Sequence, residues 1–141
     1  MNDDHSAPNA SAIGDAVRQW LAKAHVDWQT VEILIDHPRC PRQAVCYHCQ
    51  QYVEKLLKAL LTQHSIEAPR THDLRRLIQL AAPQAPGLDA LSDRADALSR
   101  AAIETRYPDN WREVSDIEMQ QMVTLADEAA MIVLRLLPVQ E

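Results

Sequence analysis

Five stretches of this chain carry apolar residues at every third or fourth position, and proline stands in each gap between them. That period belongs to the amphipathic α-helix and leaves little room for strands, whose side chains alternate with a period of two. The first set is Ile13, Val17, Trp20, Leu21, Ala24, Trp28, Val31, Leu34 and Ile35, stopped by His37-Pro38-Arg39-Cys40-Pro41. Each proline there disfavours helix at the residue before it. The second stretch covers about 42–64, with Val45, Cys49, Val53, Leu56, Leu57, Leu60 and Leu61 facing inward. Residues 65–70 read as a loop that Pro69 keeps extended. A short third helix carries Leu74, Leu77, Ile78 and Ala81, with Thr71 as its predicted N-cap and Asp73 in its first turn. Pro83 and Pro86 then break it. The fourth set is Leu88, Leu91, Ala95, Leu98, Ala102 and Ile103, ending at Tyr107-Pro108-Asp109-Asn110. The fifth opens on Ser115-Asp116-Ile117-Glu118, which fits a capping box. It carries Met122, Val123, Ala126, Ala129, Ala130, Val133 and Leu136, and Pro138 ends it.

The expected architecture is an all-α, five-helix, up-and-down bundle over residues 13–138, preceded by a disordered acidic tail, residues 1–12. A chain of 141 residues is long enough for one real core, and its 47% hydrophobic content excludes wholesale disorder. Gly14 and Gly87 are the only glycines, which excludes a P-loop or Rossmann phosphate loop. No apolar run approaches the roughly 18 residues of a membrane span. The N-terminus lacks a basic segment followed by an apolar one and is not read as a secretion signal. With three cysteines, an odd number, the expectation is a cytoplasmic protein with reduced thiols.

Net charge is −6, which argues against a general nucleic-acid coat protein, but the charge is unevenly spread. Residues 1–36 hold two basic residues and six acids, a net of −4. Residues 42–76 hold six basic residues against three acids, a net of +3. From residue 84 onward, five arginines face eleven acids, a net of −6. Positive potential therefore gathers on the second and third helices, where it either steers a phosphate or merely solvates helix faces.

Those two helices also keep polar residues that a plain bundle has no need of. Residues 47–74 read YHCQQYVEKLLKALLTQHSIEAPRTHDL, and residues 104–109 read ETRYPD. Together these phrases resemble the HEPN family, small helical domains associated with nucleotide and RNA chemistry, over roughly residues 14–137. HEPN ribonucleases carry an Arg-x4–6-His motif at the end of the fourth helix. Here Arg100 is followed, after four residues, by Thr105, then Arg106 and Tyr107. A threonine hydroxyl does not exchange a proton near pH 7 as imidazole does. The Arg-Tyr-Pro phrase instead matches the nucleotidyltransferase-associated type.

The resemblance implies a nucleotide- or RNA-binding module, homodimeric and paired with a separate small nucleotidyltransferase in a toxin–antitoxin type of system. It implies a phosphate-binding set of Arg106, Tyr107, Lys55, Lys58, His48 and His72, with Tyr107 the residue such a partner would modify. A nucleotide is the ligand, and no other cofactor is required. Two further readings stand beside it. One is a metal-independent ribonuclease toxin with a rearranged site, Arg100 or Arg106 working with His48 or His72. The other is a structural adaptor whose polar residues satisfy the bundle and its dimer interface.

The residues themselves leave these alternatives open. His48 either reaches across the bundle toward Arg106 and Tyr107 or is a buried histidine with a partner. Lys55 and Lys58, three apart on one helical face, either meet the same phosphate or are solvated. Cys46 and Cys49 have Cys-x-x-Cys spacing with Cys40 upstream, but no second pair follows, so no metal is expected.

Overall fold

A computed structural model of the protein describes residues 10–104 and 107–138. Among these residues five α-helices and no strand form an up-and-down bundle. They are α1 (Ala10–Ile35), α2 (Arg42–Gln63), α3 (Leu74–Ala81), α4 (Ser92–Glu104) and α5 (Asp116–Leu134). Helix α1 opens three residues inside the segment expected to be a tail. The rest of that segment lies outside the described residues.

Helix α2 is the hub, packing against α1, α3, α4 and α5. Thirteen of its 22 residues are buried, as a helix flanked on most sides by other helices requires. Leu56, Leu57, Leu60 and Leu61 are fully buried in the centre of the core. Trp28 of α1 stacks on Tyr52 of α2, ring centroids 4.9 Å apart, and so ties the two longest helices together.

The ends of the helices follow local chemistry. After α2 the chain turns through Ser65 at φ 56°, while the Ile66 N–H donates to Leu61 O (2.9 Å) and the Ser65 N–H to Thr62 O (3.0 Å). This is a Schellman stop with serine in the left-handed place that glycine commonly fills. Asp73, not Thr71, caps α3: its carboxylate accepts from the N–H groups of Arg75 and Arg76. The Thr71 hydroxyl instead accepts from the Asp73 N–H at 3.1 Å, one step back along the chain. Ser115 and Glu118 form the expected capping box on α5.

Two other expectations are corrected. Leu88 and Leu91 are core residues, but α4 begins after them, at Ser92. Gly87, at φ +92°, turns the chain beyond the two prolines, and a single 3-10 turn, Asp89–Leu91, brings those leucines to the core. Leu136 is exposed because regular helix ends at Leu134, and Leu137 takes the inward place.

Candidate functional site

Three buried polar residues, Gln50, Glu54 and Lys58, lie four apart on α2 and so share one face of it. Charge in a helical core is costly unless each group is paired. Glu54 has two partners: the Lys58 ammonium at 3.3 Å and the His72 ring at 2.7 Å. The Lys58 ammonium also sits over the Trp20 ring, 5.6 Å from its centroid. Because a carboxylate only accepts, His72 donates from Nδ1 and keeps Nε2 as its remaining ring nitrogen. Gln50 completes the mount, its Nε2 donating to the His72 carbonyl at 2.9 Å. The imidazole held in this way is 72% exposed, while the Glu54 side chain beneath it is 5% exposed.

His72 lines a cavity of about 370 Å³ with Tyr47, Gln51, Ile103 and Tyr107. Those residues come from α2, the segment leading into α3, the end of α4 and the residue that begins the next turn. Two phenol rings can hold a flat group, and the amide and imidazole can hydrogen-bond to it. Tyr107 is 61% exposed. Thr105 and Arg106 lie outside the described residues.

His48 is not in this cavity. It faces α1, where its Nδ1 donates to Asp27 Oδ1 at 2.9 Å, and the same carboxylate takes the Lys55 ammonium at 2.5 Å. The expected reach toward Tyr107 fails because successive residues on α2 point about 100° apart. Tyr47 therefore opens toward Tyr107 while His48 turns to Asp27. The two lysines share a helical face but not a partner: Lys55 meets Asp27 of α1 and Lys58 meets Glu54 of α2 itself, not one common point. Arg100, 69% exposed, pairs through Nε with Asp96 at 3.4 Å and does not line the Tyr107 cavity.

Cys46 and Cys49 are buried, and Cys40 lies half-buried with its thiol 3.7 Å from the Met119 sulfur. Burial pushes the Cys46 thiol up to about 11 and the Cys49 thiol further in the same direction. Both stay protonated at neutral pH and pack as small apolar groups. Among the described residues no group of three or more His, Cys, Asp or Glu converges as a metal site. No helix among them is long and apolar enough to cross a membrane.

Asp27 and Glu54, and the cavity residues Tyr47, Gln51 and Ile103, are the members of this arrangement that sequence reasoning did not name as site residues. A signal existed for the two acids. Asp27 stands three after Ala24 and four before Val31, inside the buried stripe of α1. Glu54 stands four after Gln50 and four before Lys58, on one face of α2.

The family model described as "HEPN domain" matches residues 17–136 of this chain. No curated protein and no solved structure is significantly similar to it.

Proposed function

The chain belongs to the HEPN family, and on that premise we propose that it binds a nucleotide or an RNA end in the cavity between Tyr47 and Tyr107. The observation that carries this reading is the mount of His72. Two buried polar side chains fix this residue at a cavity wall, Glu54 through its largely exposed imidazole and Gln50 through its backbone carbonyl. A surface histidine needs no such support to fold, whereas a ligand-binding group gains from being held in one orientation. Tyr47 and Tyr107 offer ring faces to a base, and His72 offers Nε2 as an acceptor to a sugar hydroxyl or base N–H or, when protonated, a second N–H to a phosphate. Arg106, next to Tyr107 in the sequence, supplies the permanent cation of the same phrase.

In this reading the protein acts as a homodimer in the cytoplasm with a separate nucleotidyltransferase, as one half of a toxin–antitoxin type of pair. The hydroxyl of the exposed Tyr107 is the acceptor. Its oxygen attacks the α-phosphorus of a nucleoside triphosphate held by the partner, pyrophosphate leaves, and the phenolic proton passes to a base. A nucleotidyl group on Tyr107 would occupy the cavity it lines and shut the binding site.

Calorimetric titration with adenine and guanine nucleotides tests the site. Tyr107→Ala should weaken binding by roughly 1–3 kcal/mol, the worth of a base stacked on an aromatic ring. Arg106→Ala should cost about 1.5–3 kcal/mol as a lost charged hydrogen bond. Affinity unchanged in both variants and in His72→Ala overturns the assignment.

The Glu54–His72 pair also favours a second reading, ribonuclease action, since an imidazole oriented by a carboxylate is half of an acid–base site. That reading requires RNA loss that disappears in His72→Ala. RNA left intact after long incubation with the wild-type protein rejects it.

A further inference from the structure

The cavity at Tyr107 adjoins another, because Tyr47 lines both. The second, of about 410 Å³, is walled by Pro41, Gln43, Ala44, Tyr47 and His48. We infer that the two cavities form one site for two consecutive nucleotides of a single-stranded RNA, one in each, with Tyr47 between them. The inference rests on reading the first cavity as a nucleotide site and adds to it a second subsite.

The second cavity repeats the construction of the first. His48 is held through Nδ1 by a carboxylate whose side chain is 8% exposed, that of Asp27, and the same carboxylate takes a lysine, Lys55. His72 is held through Nδ1 by Glu54, which takes Lys58. The two acids come from different helices, α1 and α2, so neither mount is a by-product of the other. In both cases a buried carboxylate that also takes a lysine fixes the tautomer of a histidine that borders open space.

A further feature of the second cavity suits a phosphate: α2 begins behind Pro41 with no side-chain cap and no acid in its first turn, so the positive end of the helix is left uncompensated there. The Tyr107 cavity offers aromatic rings, and the His48 cavity offers an imidazole and a helix end. A mononucleotide uses only the first set. A dinucleotide places its linking phosphate and second unit on the other.

The test is a calorimetric comparison of adenosine 5′-monophosphate with the 5′-phosphorylated diribonucleotide of adenosine, on the full chain. The wild type should bind the dinucleotide at least about tenfold more tightly, the gain one stacked or charge-assisted contact supplies. His48→Ala should remove that gain and leave mononucleotide affinity unchanged. Ala44→Phe, which fills the second cavity from the position one helical turn before His48, should do the same, and it stands in if His48→Ala fails to fold. Equal affinities in the wild type overturn the second subsite alone, as does Ala44→Phe weakening both ligands equally. If neither ligand binds, the reading of the first cavity falls, and this inference falls with it.

Discussion

Glu54 is the residue on which the candidate site depends most. It is 4% exposed, its charge is paired with Lys58 within the core, and it accepts a hydrogen bond from His72 at the surface. Removing one partner of a buried pair leaves the other charge in the interior with no compensation. Glu54→Ala should therefore destabilise the fold by about 3–5 kcal/mol in urea denaturation. Lys58→Met should cost less, because it keeps the side-chain volume and Glu54 retains His72. A Glu54→Ala variant as stable as wild type would show that the Lys58 ammonium reaches solvent on its own. Asp27 has the same role on α1, with His48 and Lys55 as its partners. Tyr52, by contrast, serves the core: burial pushes its phenol above the ordinary value, and its ring lies on Trp28.

Among the elements, α5 carries the clearest pH signature. Glu118 accepts two hydrogen bonds from the Arg112 guanidinium, at 2.8 and 2.7 Å, and one from the Ser115 N–H within the capping box. The Arg112 contact above all holds its carboxyl down at about 2, against an ordinary 4.5. A carboxyl lowered in the folded state stabilises the fold above its unfolded value, and that contribution fades as pH falls through the folded one. The thermal midpoint of the wild type should thus exceed that of Glu118→Gln near neutral pH. The gap should close between pH 4.5 and about 2. A gap that stays constant through that window would remove Glu118 from the account. The box was legible in the sequence because a capping box joins residues only three apart. The cap of α3 was less so: Thr71 and Asp73 are both good caps, and only the backbone path chooses between them.

For the molecule as a whole, α2 is the element that every other helix needs. Leu57, fully buried at its middle, is the place to test this. Leu57→Ala should cost roughly 2–5 kcal/mol by loss of contacts and a residual cavity. Tryptophan fluorescence of a Trp111→Phe background, which then reports Trp20 and Trp28 on α1, should shift in step with helical circular dichroism. Separate transitions would show that α1 comes away from the rest. The amino-acid sequence alone determined the five helices and their order, the capping box and the leucine face of α2, because periodicity and caps act within a turn or two of chain. It also carried the family, since the HEPN domain model matches residues 17–136. Only the tertiary structure decided which acid holds which histidine. Asp27 and His48 are 21 residues apart and Glu54 and His72 are 18 apart, and each pair meets only when separate elements pack. Packing also put Lys55 and Lys58 on different carboxylates and gave the two histidines separate cavities. Helical spacing says which residues share a face, but the neighbour that face meets is set by how the helices cross.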